Sequence, residues 1–289
     1  MATDQRYQTK PLDCWSLSKE LKEKYTKEIW TAKDEGKTVG IGLGLFSNSI
    51  PSSLPDTVFA EMATYFTNVA VNPDQAIEFA ETVTARGYPP DICHAAQLVW
   101  GSMFLNRGPF GQFISPDFCI QLHFCETQGK SSQIMGEHFD IPQFCIDSPL
   151  IPIGRDKKYF KKNVVAQLQD AIEWLEKITG KTYDDEAFIK GVRNEWEVSV
   201  LWAKICELNK NIPAPLDIRM LSSLSAPIFL KRNGDETVNY LRTLHAEVQD
   251  RVKNQIAALG TERCRLLHEG VPPFYFLRLF RIPEKYGAV

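Results

Sequence analysis

Ser115-Pro-Asp-Phe-Cys-Ile-Gln-Leu-His-Phe-Cys-Glu-Thr127 is the stretch that decides the fold. Residues 118–125 read as a short buried strand, entered from a Gly- and Pro-containing loop over 106–115. Cys125 falls where that strand gives way to a loop. Cys93 lies 32 residues earlier, after the turn Tyr88-Pro-Pro-Asp91. Asp91 suits an N-cap, which puts Cys93 in the first turn of a helix running to about Leu105. Two soft ligands at two element ends could form one corner of a metal site.

Outward from this stretch, strands and helices alternate. Upstream, Trp15 to Glu35 is a charged amphipathic helix stopped by Gly36. Thr38 to Phe46 is a continuous apolar run, as in a buried parallel strand. Residues 56–66 read as a helix and Asn68–Val71 as a second strand. Pro73 opens a helix that Gly87 closes. Downstream, a helix near 130–139 precedes a strand over Gln143–Asp147. The predicted class is α/β, with an open Rossmann-like parallel sheet layer.

The character changes at Pro149-Leu-Ile-Pro-Ile-Gly154. Three long helices are expected over 156–178, 184–209 and 235–258, with a shorter one near 215–225. Arg263–His268 then reads as a strand and Phe274–Tyr286 as a helix. Gly287-Ala-Val289 has the small apolar character of a strand beginning. The expected organisation is an N-terminal α/β domain over 1–150, a helical insertion over 151–260, and the start of a second α/β domain over 261–289. One strand and one helix cannot cover both faces of a sheet. That second domain therefore reads as truncated, in a fragment or in a chain short for its architecture.

The 289 residues carry a formal charge of −3, so no basic field points to nucleic acid. Hydrophobic residues make up 44%, yet no apolar run reaches membrane-spanning length, and the first residues lack the core of a signal peptide. The expected compartment is the cytoplasm. Seven cysteines, an odd number in a long chain, argue against a secreted disulfide framework.

Gly40-Ile-Gly-Leu-Gly44 follows a strand, but Leu45 stands where a dinucleotide loop needs its third glycine, and no Lys-Ser/Thr follows for a P-loop. The glycines read instead as close backbone approach. Any ATP chemistry would need another subunit. Cys93 has a physical reason to act: a helix start favours an anionic thiolate or a negatively charged cluster. Cys125 falls at the carboxyl end of a strand, the edge where open α/β sheets bind ligands. In a regular strand Cys119 and Cys125 share one face, which makes Cys119 the fallback ligand. His94 and His123 read as satisfied core or loop histidines, and Glu126 as a solvated loop residue. Cys145 and Cys206 read as core, Cys14 as surface. No G-x-S-x-G elbow is present. A Cys–His hydrolase built on Cys125 stays open without a family spacing behind it. No catalytic residue is assigned.

In order along the chain, Pro90-Asp-Ile-Cys93, Ser115-Pro-Asp117 before a strand ending in Cys125, Ile141-Pro-Gln-Phe, Ile151-Pro, Thr179-Gly-Lys-Thr-Tyr-Asp184, Ile212-Pro-Ala-Pro-Leu-Asp217 and Arg263-Cys-Arg-Leu-Leu-His-Glu-Gly-Val-Pro-Pro273 resemble landmarks of one family. It is the benzoyl-CoA reductase / 2-hydroxyacyl-CoA dehydratase family, in its cluster-bearing subunits.

The resemblance implies two α/β domains with a helical insertion and a [4Fe–4S] cluster held by three cysteines. Cys93 and Cys125 match the first two; the third belongs to the family's carboxyl-terminal domain, and nothing in this chain matches it. The resemblance also implies a homologous cluster-bearing partner subunit, ferredoxin, and a separate ATP-hydrolysing activator that injects low-potential electrons. Region 40–55 departs from the family pattern, so no substrate residue is carried over. The resemblance favours an iron–sulfur subunit of an aromatic acyl-CoA reductase that dearomatises benzoyl-CoA. Its alternative is a 2-hydroxyacyl-CoA dehydratase subunit working through a ketyl radical. A third reading, of another class, is a non-catalytic assembly protein or inactive fragment without a cluster.

Overall fold

The computed structural model describes residues 6–42, 47–62, 72–108, 111–148, 153–154, 156–268 and 279–289. Its elements in chain order are β1 (Gln8–Thr9), α1 (Cys14–Thr31), β2 (Thr38–Gly42), α2 (Ser49–Ser52), β3 (Thr57–Glu61), α3 (Pro73–Ala85), α4 (His94–Phe104), β4 (Phe118–His123), α5 (Glu126–Phe139), β5 (Gln143–Asp147), α6 (Lys157–Thr179), α7 (Asp185–Leu208), α8 (Ile218–Leu224), α9 (Ala226–Lys231), α10 (Asp235–Lys253), β6 (Ile256–Ala257) and α11 (Arg281–Glu284). The fold is α/β.

The chain divides into two compact units, Thr26–Gly191 and Met1–Tyr25 with Val192–Val289. These compact units are drawn by contact and do not test the expected organisation over 1–150, 151–260 and 261–289. Helix α6 joins the first unit because its apolar face covers the sheet, whereas the first residues join the helical unit.

The first unit is built on a four-stranded parallel sheet in the order β3-β2-β4-β5. One face buries Phe59, Phe118, Ile120 and Ile146 against Ala171 and Leu175 of α6, with Trp174 packed beside them. The Trp174 ring lies 5.4 Å from Phe144 and 6.1 Å from Phe118. Each such fully buried side chain contributes about 1.5–3 kcal/mol. The two strand glycines have a packing reason. A Cβ on Gly40 would stand 2.4 Å from the Phe118 ring, and one on Gly42 2.4 Å from the Ile120 carbonyl oxygen and 2.7 Å from the Phe59 ring. The glycines are seats for aromatic rings, as the close-approach reading expects. Gly44 lies outside the described residues.

The other face of the sheet carries α5. Cys119 Sγ lies 3.8 Å from Ser132 Oγ, and Gln121 Nε2 donates to the Gln128 carbonyl. Helix α4, nearly all of it buried, packs between α3 and α5.

The amino edge of the sheet is tied by side chains. Lys181 Nζ donates to Thr38 Oγ1 (2.8 Å) and to the Pro55 (2.7 Å) and Asp56 (2.9 Å) carbonyls. Asp117 accepts from the Val39 amide at 2.8 Å and pairs with Lys33.

Residues 57–61 are a strand, not part of a helix over 56–66. Asp56 turns the chain at φ +48°, and Thr57-Val-Phe-Ala-Glu61 then pairs in register with β2 from Thr38↔Thr57 to Gly42↔Glu61. A short apolar run has no reliable period of its own, and the β-branched and aromatic residues decide it. The strand expected over Asn68–Val71 lies outside the described residues.

In the second unit, α10 buries Val238, Tyr240, Leu241, Leu244 and Val248. Tyr240 Oη donates to the Leu224 carbonyl at 2.8 Å. Strands β1 and β6 pair in parallel. Arg251 is buried and donates to the carbonyls of Lys10 (2.8 Å), Pro215 (3.1 Å) and Ala257 (3.2 Å). Arg263–His268 forms no full strand. It pairs in parallel with the last residues through one bridge, Cys264↔Ala288, supported by Leu266 N donating to Val289 O at 2.8 Å. Of the helix expected over 274–286, one turn, Arg281–Glu284, is seen; residues 274–278 lie outside the described residues.

Candidate metal centre at two helix starts

Strand β4 ends at His123, and α5 begins three residues later, so α5 starts at the carboxyl edge of the sheet. Helix α4 runs beside α5 in the same direction. Trp100 Nε1 donates to Ser131 Oγ at 3.0 Å, and further along both helices the Phe104 and His138 rings meet at 5.6 Å. Two helices joined in this order have their N-termini at the same end. Both starts therefore emerge at the carboxyl edge, and the residue at each start is a cysteine.

Cys93 is the N-cap of α4 and Cys125 the N-cap of α5. Both are exposed. N-caps are usually Ser, Thr, Asp or Asn, whose oxygen satisfies a first-turn amide. Neither cysteine forms a side-chain cap bond. The two cysteines stand at the positive ends of two neighbouring helices, where a negatively charged ligand is favoured. The cap of α4 is Cys93 itself and not Asp91, so Cys93 precedes the first turn rather than lying in it.

Cys119 is placed differently. It is wholly buried beneath α5, and burial pushes its thiol up to about 12, opposed only by the Ser132 hydroxyl. Strand β4 stops at His123, so the alternation that would align Cys119 with Cys125 is broken before it reaches Cys125. Among the described residues no three His, Cys, Asp or Glu side chains come together to hold a metal. The donor chemistry at Cys93 and Cys125 fits an iron–sulfur cluster, but two thiols do not complete one.

Three other cysteines depart from expectation. Cys14 is buried, and its thiol is pushed up to about 12 by burial and then by Glu247; the Cys14 amide donates to Glu247 at 2.9 Å. Cys145 and Cys206 are exposed, not core. Cys145 lies on β5, the outermost strand of the sheet among the described residues.

His123 closes β4 at the same edge. Its Nδ1 lies 3.4 Å from Asp147 and its Nε2 3.7 Å from Glu126. Its ring lies against Gly129, where an added Cβ would stand 2.8 Å from it. The imidazole thus bridges the ends of β4 and β5 and the start of α5, a more specific place than a satisfied loop histidine. Glu61, the last residue of β3, is a buried carboxylate that the helical reading of 56–66 passed over. A strand reading from Val58 and Phe59 would have found it. A hollow of about 290 Å³ lined by Lys37, Asp56 and Asp184 opens at the amino edge, away from both thiols. It takes no part in this site.

Residues 58–289 match the family described as 2-hydroxyglutaryl-CoA dehydratase, D-component. The chain belongs to this family. It is 27% identical over 276 residues to the alpha subunit of (R)-phenyllactyl-CoA dehydratase from Clostridium sporogenes, covering 90% of this chain and 67% of the relative. It is 26% identical over 258 residues to the (R)-2-hydroxyisocaproyl-CoA dehydratase alpha subunit of Clostridioides difficile, covering 87% and 62%. It is 27% identical over 159 residues to subunit alpha of (R)-2-hydroxyglutaryl-CoA dehydratase from Acidaminococcus fermentans, covering 54% and 33%. The chain spans about two thirds of the first relative's length and less of the others. These relatives are dehydratase subunits. They favour the dehydratase alternative over the benzoyl-CoA reductase reading. No described helix is long and apolar enough to cross a membrane.

Proposed function

We propose that this chain is the alpha-type subunit of a 2-hydroxyacyl-CoA dehydratase, which removes water from a 2-hydroxyacyl thioester to give the 2-enoyl thioester. The observation that carries this reading is the family match over 58–289, with relatives that are dehydratase alpha subunits. The reaction is redox-neutral overall: the hydroxyl leaves from C2, a proton leaves from C3, and no net electron is consumed.

Cys93 and Cys125 would hold two corners of a [4Fe–4S] cluster, with further ligation from outside the described residues. Such a cluster supplies low-potential, one-electron chemistry. The protein's own part is positional. The starts of α4 and α5 put a cysteine at the same end of each of two neighbouring helices, and their free amide ends would favour the cluster's negative charge. The Trp100–Ser131 bond and the Phe104–His138 contact lock the spacing of the helices. The Gly40–Gly44 region does not follow a nucleotide-binding pattern, in keeping with ATP hydrolysis and electron delivery by a separate activator. An alpha-type subunit also calls for a second, homologous subunit.

The decisive experiment is anaerobic assay of the chain with its co-purifying subunit and activator. One arm contains a 2-hydroxyacyl-CoA and the other benzoyl-CoA. The expected result is enoyl-CoA in the first arm only. Ring reduction of benzoyl-CoA without dehydration would reinstate the reductase.

A further inference from the structure

Helix α6 crosses the sheet from carboxyl edge to amino edge. Gln167 brackets the end of β5, accepting from Asp147 N at 2.7 Å and donating to Asp147 O at 3.2 Å. Trp174 and Leu175 lie over the sheet's middle, and Lys181, just past the helix, grips the starts of β2 and β3. The ten residues from Lys157 to Ala166 therefore overhang the carboxyl edge by about 15 Å at the rise of an α-helix. This is the edge where Cys93 and Cys125 emerge.

The overhang has an unusual composition, Lys157-Lys-Tyr-Phe-Lys-Lys162. All four lysines are exposed, and none forms an ion pair among the described residues. The first turn holds no acidic residue, so four cations crowd the positive end of a helix dipole. Helix stability gives no reason for that placement. The spacing gives another. Ala171 and Leu175 are wholly buried on the sheet, with Leu168 packed beside them. Stepping back by alternating threes and fours, this stripe continues through Val164 to Lys161 and Lys157. The helix face that packs on the sheet thus becomes lysine where the sheet ends, directed over the carboxyl edge. Tyr159 is 75% exposed, with its ring 5.8 Å from Phe160.

We propose that this overhang binds the phosphorylated nucleotide end of a coenzyme A thioester. Lys157 and Lys161 take the 3′-phosphate and diphosphate, Lys158 and Lys162 add to the positive field, and Tyr159 offers a face to the adenine. The long pantetheine arm then leads along the carboxyl edge toward the two thiols. The assignment rests on the acyl-CoA reading above and adds the residues that would recognise the substrate's handle.

The test is calorimetric titration of the assembled complex with coenzyme A and with 3′-dephospho-coenzyme A. The wild type is expected to bind coenzyme A about tenfold or more tighter than the dephospho form. The K157Q/K161Q double variant is expected to lose that preference and about tenfold in affinity, while a K210Q control keeps both. In turnover the double variant raises KM with kcat retained. Unchanged affinity and preference in K157Q/K161Q, or no coenzyme A binding by the complex, overturns the assignment. Lysine-dependent binding without dehydration of any 2-hydroxyacyl-CoA would leave this site standing and remove the dehydratase reading. Dehydration with unchanged KM in the variant would do the reverse.

Discussion

The two edges of the parallel sheet are built on opposite terms. At the amino edge the polar groups are spent on the fold itself. Lys181 occupies three oxygens of β2 and the β3 turn, and Asp117 fastens β2 to β4 and to Lys33. At the carboxyl edge two helices begin with cysteines that cap nothing, and lysines stand where a helix would prefer acids. One edge holds the sheet together, and the other keeps its chemistry available. Groups that do nothing for stability are where function is to be sought, because their cost must be offset by something they bind.

The largest break in this contrast should come from Cys93→Ser or Cys125→Ser. Each is expected to abolish the thiolate–iron absorption of the anaerobically reconstituted complex and to lower dehydration by at least about a hundredfold, since an iron–sulfur cluster is held by thiolates. Full iron content in both variants would show that the carboxyl edge is not the metal centre. Next comes Lys181→Met, which strands three acceptors at the amino edge. A loss of about 2–3 kcal/mol in urea unfolding is expected, with cluster assembly on the folded fraction unchanged. A stability change below about 0.5 kcal/mol would mean that the clamp is ornamental.

A smaller effect should appear at high pH. Cys119 and Cys14 have thiols raised from 9.0 to about 12 by burial, so the folded state holds their protons more tightly than the unfolded state. Their contribution is complete below pH 9 and is lost as pH rises from 9 towards 12. The slope should be about 1.4 kcal/mol per thiol per pH unit. Denaturation midpoints of wild type and Cys119→Ala, measured from pH 8 to 10.5, check this: the variant should show the shallower decline. The smallest effect is the most pointed. Because Ser is a better N-cap than Cys, Cys125→Ser should unfold at the same temperature as the wild type or slightly above it, by up to about 1 kcal/mol in stability. A clear destabilisation would show that Cys125 supports the fold after all.

Much of this contrast was legible in the residues. Gln143–Asp147 was bounded as found and α6 ended at its glycine stop, whereas α10 ends at Lys253 and the expected stretch to 258 includes the strand Ile256–Ala257. Asp156, Asp184 and Asp217 each cap the helix that follows, signals that the residue pattern also offered but that went unused. Thr57–Glu61 was misread because five residues cannot display a period, and its identity comes from pairing with β2, a partner 19 residues away in the chain. The cysteine environments failed for a related reason. Whether Cys14 or Cys145 is covered depends on which element lies beside it: Glu247 comes from a distant helix, and Cys145 belongs to the outermost strand among the described residues. The approximate starts of α4 and α5 were legible from the turn before one and the strand end before the other, although the cap of α4 falls on Cys93 and not on Asp91. That the two starts lie side by side was not readable, since it depends on the tertiary bonds between Trp100 and Ser131 and between the Phe104 and His138 rings.

Arg251 carries a consequence for handling the protein. Its buried guanidinium is satisfied by carbonyls at positions 10, 215 and 257, so the opening residues serve as a plug for a charge contributed by a helix far along the chain. Proteolytic nicking before Leu12 would uncork that charge and loosen the helical unit while leaving the sheet and its thiols chemically intact.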